Sequence, residues 1–341
     1  MAYTTIKNPS DYFNTKLYTG NGATNAITGV GFQPDFIWIK ERSSTSSHNL
    51  VDAVRGVTKR VSSDNDGEEE TLSGIVSSFD SDGFTNGADN GVNESSQTYA
   101  SWNWLANGAG VANTDGSVTA TVSANQTSGF SVIKLTNPAS GSYTVGHGLG
   151  VAPDMLIFKA LDGGVQSWFV LHKDLTNYTD RYLRLQGTGA EVTYSMQTQV
   201  PTNSLLYLNS GGVGNGNAGL ICYAFAGKQG YSKFGSYTGN GNADGTFVYT
   251  GFKPAFVITK NATTGATSWE MADNKRALFN VNNKTLKADT SGAEQTYNFM
   301  DFLSNGFKLR YSSDSNTSGN TIIYMAFAEE PLVGDNPATA R

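Results

Sequence analysis

One pattern is written three times in this chain: an apolar residue, any residue, a proline, then an apolar run closed by lysine. The copies are Phe32-Gln33-Pro34-Asp35-Phe36-Ile37-Trp38-Ile39-Lys40, Val151-Ala152-Pro153-Asp154-Met155-Leu156-Ile157-Phe158-Lys159 and Phe252-Lys253-Pro254-Ala255-Phe256-Val257-Ile258-Thr259-Lys260. Other landmarks accompany each copy in the same order. Tyr18, Tyr143 and Tyr237 stand ahead of it, and His48, Trp168 and Trp269 follow it. Further on come Ser101-Trp102, Ala224-Phe225 and Ala326-Phe327. Internal repetition settles the architecture before any single element does. Each repeat spans roughly 100 residues, an ordinary domain size, so each is expected to close its own core and sit as a bead on the chain.

Thr, Val, Tyr, Phe and Ile dominate the apolar stretches, Gly, Asn and Asp punctuate them, and no amphipathic run of helical length occurs. That composition belongs to short strands and turns. Proline at a strand entry sacrifices no ladder bond, so each proline-led run reads as a strand buried on both faces. The fold expected is all-β: three tandem antiparallel β-sandwich units, jelly-roll-like. Their boundaries are 1–110 with an N-terminal arm, 129–229 and 230–331. A Gly/Ser/Thr-rich linker covers 111–128, with one candidate strand at Ser117–Val122. An extended tail covers 332–341, and the run from Glu329 onward lacks core material.

Acidic residues exceed basic ones by six and no Lys/Arg cluster occurs. A nucleic-acid binder needs a basic stripe to displace phosphate counterions, so no nucleic-acid partner is expected. The single cysteine, Cys222, lies in an apolar run and reads as a buried small hydrophobe. The N-terminal residues lack a basic and apolar leader pattern, and no apolar stretch reaches membrane-spanning length, so no membrane insertion is expected.

Catalytic and metal-binding residues are expected to be absent, as are cofactors. No Gly-x-Ser-x-Gly elbow accompanies the three histidines. His48 stands where the other repeats have tryptophan, His147 lies in a Gly-rich turn, and His172 takes the place of Asp52 and Asp273. Gly214-Asn215-Gly216-Asn217-Ala218-Gly219 matches a dinucleotide fingerprint, but a β-like run follows it where a helix is required, so it reads as a flexible hairpin loop. The acidic segment Asp64–Glu70 lacks EF-hand spacing and reads as a solvated loop. No carboxylate is expected to recur in all three repeats. Tyr18, Tyr143 and Tyr237 have the chemistry of sugar or protein contacts, yet read first as tyrosines packed at strand ends.

Tyr12–Gly22, Gln33–Lys40, Val54–Lys59, Gly230–Gly241 and Tyr324–Glu329 resemble a repeat family of marine tailed-bacteriophage virion proteins. The resemblance covers almost the whole chain and implies a non-enzymatic structural protein exposed on the virion, most often of tail-fibre or tail-tip type. Capsid decoration is the first alternative; a carbohydrate-binding module and a glycan depolymerase follow. The implied partners are other virion proteins, further copies of the chain in a homo-oligomer (a trimer, from the virion setting) and a host-surface glycan or receptor. The chain begins its first repeat without the shaft typical of a fibre, so a compact component or tip is expected.

Overall fold

The computed structural model describes residues 4–333 together with 337 and 338. Met1–Tyr3 of the N-terminal arm and most of the tail expected over 332–341 lie outside the described residues. The chain is nearly all β, in several antiparallel sheets. Among the described residues, helix is confined to Asn90–Asn93 and two short 3-10 turns.

A four-strand order recurs in all three repeats. An opening strand (Phe13–Thr19, Phe130–Thr136, Ser232–Thr238) pairs with a closing strand (Thr98–Trp104, Gly219–Phe225, Thr321–Pro331). The closing strand pairs on its other side with the proline-led strand (Phe36–Glu41, Met155–Ala160, Phe252–Asn261). A short outer strand (Asn49–Asp52, Phe169–His172, Glu270–Asp273) follows. In the first repeat these four make a whole sheet. In the second they belong to a six-stranded sheet. In the third they continue through Asn282–Lys287, Gln295–Leu303, Gly306–Leu309 and Phe247–Tyr249 into an eight-stranded one.

Strand pairing fixes which residues are equivalent. Phe36, Met155 and Phe256 stand opposite Trp104, Phe225 and Phe327. The closing-strand landmark of the first repeat is therefore Trp104, two residues beyond the sequence alignment at Trp102. Tyr18 and Tyr237 occupy the same place in their opening strands, but the second repeat has Leu135 there. Tyr143 lies instead in Ser142–Gly146, which pairs with Leu205–Asn209 in a separate sheet.

The repeats are not beads. Along the proline-led strands, side chains alternate between two cores, as a pleated strand requires. Ile37 and Ile39, Leu156 and Phe158, and Val257 each face a cluster belonging to their own repeat. Phe36 and Trp38, Met155 and Ile157, and Phe256 and Ile258 all face one shared cluster drawn from all three repeats. At its centre Trp104, Phe225 and Phe327 contact each other, with ring centroids 5.7, 6.1 and 6.4 Å apart. The strands are buried on both faces, as the apolar runs imply, because a second apolar layer lies outside each repeat.

Two segments read as loose are ordered. Val111–Asn113 and Ala120–Asn125 are strands of the six-stranded sheet, the latter paired along the opening strand Phe130–Thr136. Alternating Val and Ala between Thr and Ser supplies enough β-propensity and one apolar face, so the segment is not a free linker. At the other end, Glu329–Pro331 belong to the last closing strand, where Pro331 stands opposite Phe252 and Glu330 opposite Lys253. The Lys253 ammonium lies 3.3 Å from Glu329 and 3.7 Å from Glu330. Charge pairing holds this stretch where core residues are lacking.

Candidate functional site

The polar residues that recur do so at the seams between repeats. His48, Trp168 and Trp269 each reach a main-chain oxygen of a different repeat. His48 Nε2 donates to Lys287 at 2.9 Å, Trp168 Nε1 to Ser62 at 2.8 Å and Trp269 Nε1 to Arg184 at 2.9 Å. The acceptors are equivalent, because the residues just before them (Val61, Leu183, Leu286) pair with Leu50, Val170 and Met271. The first repeat thus grips the third, the second grips the first, and the third grips the second. The contacts close a ring.

Two of the lysines that end the proline-led runs, Lys159 and Lys260, reinforce the same seams. Lys159 Nζ donates to Asp66 O at 3.2 Å and Gln166 O at 2.8 Å, while Lys260 Nζ donates to Thr188 O at 3.2 Å and Thr267 O at 2.8 Å. Lys40 donates to its neighbour's oxygen at Glu41, 2.6 Å away. All three are fully buried, and desolvation lowers each from 10.5 to about 8. Backbone oxygens, not carboxylates, hold these ammonium groups, which leaves none of them in reach of a substrate.

One carboxylate does recur. Glu69, Glu191 and Glu294 donate their main-chain N–H groups, each at 2.9 Å, to Leu161, Ala262 and Arg42 of the neighbouring repeat. Their side chains fold back on the turn after the outer strand. Glu69 lies 3.3 Å from Arg55, Glu191 accepts from Thr176, and Glu294 takes a bidentate pair from Arg42 and a contact from Arg276 at 3.5 Å. The expectation that no carboxylate recurs is therefore corrected. The distance from proline to glutamate differs between repeats, which hid the match in the sequence. Two further seam groups are Asp52, which accepts from Tyr223 OH at 2.8 Å, and Asp273, which accepts from Trp102 Nε1 at 3.1 Å. Both are buried and paired to Arg55 and Arg276 at 2.5 Å.

The histidines are locked as hydrogen-bond fixtures. His48 Nδ1 accepts from Trp38 Nε1, His147 Nδ1 from Leu149 N and His172 Nδ1 from Asp174 N. Their Nε2 atoms therefore carry the proton and donate to main-chain oxygens. Desolvation lowers His48 and His172 to about 4 and lowers His147 as well. With both nitrogens of each ring engaged, none has a lone pair free for a nucleophile. Cys222 is buried against the second repeat's own core, and desolvation pushes its thiol well up.

The remaining sequence features fall apart spatially. In the acidic segment, Asp64 caps His48 N, Glu68 accepts from Gly164 N, Glu69 serves Arg55 and Glu70 pairs with Arg60. Their carboxylates diverge, and among the described residues no group of three metal-ligating side chains converges. The Gly214–Gly219 run crosses between two sheets and is no hairpin, since Leu205–Asn209 and Gly219–Phe225 do not pair. Asn137 pins it through Ser210 O and Asn215 O. Tyr18 and Tyr237 pack at strand ends and donate to Val92 O and Ser315 O.

Open surface lies in grooves beside the seams. One of about 650 Å³ separates the first two repeats, lined by Glu68, Glu69, Lys134 and Asp162, and a related one of about 420 Å³ holds Asp174, Arg181 and Glu191. On the third repeat, two adjoining grooves of about 390 and 410 Å³ share Lys173, Lys233, Phe234 and Tyr249. Sequence reasoning found none of these, because each joins residues of separate repeats or strands far apart in the chain.

Fold and seams together define an all-β protein whose recurrent polar residues are structural. The chain belongs to a family described as a domain of unknown function (DUF7483), whose model matches residues 8–331. No curated protein matches it, and no solved structure does.

Proposed function

We propose that this chain is a non-enzymatic virion structural protein, built as three tandem antiparallel β-sandwich units and exposed on the particle. Its role is of tail-fibre or tail-tip type, binding the host surface. The virion assignment rests on the sequence resemblance of the repeats. One structural observation supports a structural role: His48, His172, Lys159, Lys260 and the recurrent glutamates are engaged in hydrogen bonds that join one repeat to the next. Polar groups spent on a ring of internal contacts make a rigid platform, and specificity then belongs to the loops and grooves where the repeats differ.

The ring also supports a threefold setting, because one chain already supplies three related faces. A capsid-decoration role is the second reading, favoured by the packing of all three repeats around one shared core. Immunogold label against the chain on intact tailed particles separates the two. Label at the tail end is expected, label over the capsid faces favours decoration, and absence of the chain from purified particles overturns both.

A further inference from the structure

The two adjoining grooves on the third repeat form one cleft, and its charges nearly balance. Lys173, Lys228 and Lys233 line it together with Asp154 and Asp174. Lys173 lies 2.8 Å from Asp154, and Lys233 Nζ donates to Tyr249 O at 2.7 Å. Outside those contacts stand the Lys228 ammonium and the Asp174 carboxylate, one of each sign, so the cleft has little surplus charge to hold an ionic ligand. The main chain beside it is also occupied. Lys228 and Ser232 exchange both of their main-chain hydrogen bonds, at 3.1 and 2.9 Å, and Thr246 Oγ1 donates to Thr238 O at 2.9 Å. A peptide strand would find few ladder bonds to make here.

What distinguishes the cleft is aromatic surface. Phe247 and Tyr249 line it, 44% and 50% exposed, while Val248 between them turns into the core. Strand pairing identifies their counterparts. Val248 stands opposite Phe307 as Ile27 stands opposite Phe84, so Ala26 and Thr28 take these places in the first repeat. In the second, Val145 stands opposite Leu206, with Thr144 and Gly146 beside it. Small residues in two repeats and two rings in the third are a local departure, unlike the single exposed apolar residues scattered over any surface. Residues two apart on a strand project to one face about 7 Å apart, so the rings make one strip. Lys233 lies 5.3 Å from the centre of the Tyr249 ring and steadies it while half of it stays exposed.

We propose that this cleft binds a neutral oligosaccharide, its sugar rings lying on Phe247 and Tyr249 and its hydroxyls bonded to Asp174, Lys173 and Ser236. A pyranose presents an apolar face of C–H groups and a rim of hydroxyls. The apolar face matches an exposed aromatic ring, and a vicinal pair of hydroxyls matches the two oxygens of a carboxylate. The groove that holds both rings also holds Asp174, Lys173 and the exposed Ser236. Lys173 keeps further N–H donors beyond the one that meets Asp154. Charge-assisted hydrogen bonds supply the direction that stacking on a ring lacks. An uncharged ligand fits because the charges nearly cancel. An oligosaccharide fits better than a single sugar because the grooves, of about 390 and 410 Å³, meet at Tyr249. This site gives the host-surface binding proposed above a place and a ligand class, and it rests on that reading for its biological setting.

The test uses the full chain and neutral tetrasaccharides from cellulose, amylose, mannan and galactan, with tetragalacturonate as the charged comparison. Binding is read by saturation-transfer difference NMR and isothermal titration. At least one neutral saccharide is expected to bind saturably, with an affinity that added salt leaves unchanged. Tyr249→Ala should weaken it about tenfold or more while far-UV circular dichroism and the thermal midpoint hold. Should that variant fail to fold, Asp174→Asn serves instead and should weaken the same saccharide. Absence of saturable binding by every neutral saccharide overturns the assignment, as does undiminished binding to a folded Tyr249→Ala variant. Preference for tetragalacturonate, lost in salt, would give the cleft to an anion. Binding of oligoglutamate in place of any saccharide would give it to an acidic peptide, and either result overturns the proposal. Label at the tail end with no saccharide bound would remove this site and leave the virion reading standing. Saccharide bound by a chain absent from particles would do the reverse.

Discussion

Trp168 of the second repeat donates its indole N–H to the main-chain oxygen of Ser62 in the first, 2.8 Å away, and both partners are buried. Trp168→Phe removes the donor and part of the ring, leaving a buried carbonyl unsatisfied at a cost of about 1–3 kcal/mol with a small void beside it. Trp168→Ala adds a cavity and should cost roughly 3–5 kcal/mol. Urea unfolding of both variants checks the ordering. The shared cluster further predicts that wild type unfolds in one cooperative calorimetric transition, and that Trp168→Ala lowers it as a whole. Separate transitions for the repeats would contradict a shared core.

Lys40, Lys159 and Lys260 give stability a distinctive pH dependence. An unfolded lysine keeps its proton up to about 10.5, whereas these lose theirs near 8 in the folded chain. Between those values the unfolded chain holds more protons, so the lysine contribution to stability rises with pH through the window and is lowest below pH 8. The full drop corresponds to roughly 3 kcal/mol per lysine at most. Denaturant midpoints from pH 7.5 to 9.5 should climb less steeply in Lys260→Met than in wild type. Identical slopes would show that Lys260 does not titrate in that range.

At the end of the outer strand, two repeats carry a buried Asp–Arg pair, Asp52 with Arg55 and Asp273 with Arg276, where the second has His172 and Leu175. His172→Asp alone buries an unpaired carboxylate and should destabilise by about 3 kcal/mol or more. Adding Leu175→Arg should recover most of that loss, because it restores the pattern of the other repeats. A double-mutant cycle measures the coupling, and additive effects would rule out the equivalence.

Glu294 closes the ring between the third and first repeats by holding Arg42, with Arg276 beside it. Glu294→Ala removes the partner of two guanidinium groups, one of them fully buried, and should cost about 3 kcal/mol. Glu191→Ala removes only a cap on Thr176 and should cost about 1 kcal/mol. Thermal melts of the two variants test the difference.

The proline-led strands and their two-faced burial were legible because pleating and proline chemistry act locally. The ring was not. Its sign was present in the sequence, since a strand apolar on both faces demands a second layer, but nothing local says which part of the chain supplies it. Glu69, Glu191 and Glu294 escaped notice because the loops before them differ in length. Tyr143 misled because its Tyr-Thr dipeptide copies those at Tyr18 and Tyr237, whereas strand pairing, not local wording, sets equivalence. The candidate strand at Ser117–Val122 caught only the first half of Ala120–Asn125, because a small-residue composition suits a linker as well as an edge.

A symmetric assembly of three identical chains must repeat every change on every face. Here Trp104, Phe225 and Phe327 meet at the centre of one continuous polypeptide, so each face is encoded separately and one can mutate while the others stand still. The strand Ala120–Asn125, laid along the opening strand of the second repeat alone among the described residues, is such a divergence. Fusion converts a threefold object into a directional one, with a distinguishable side to present to each neighbour.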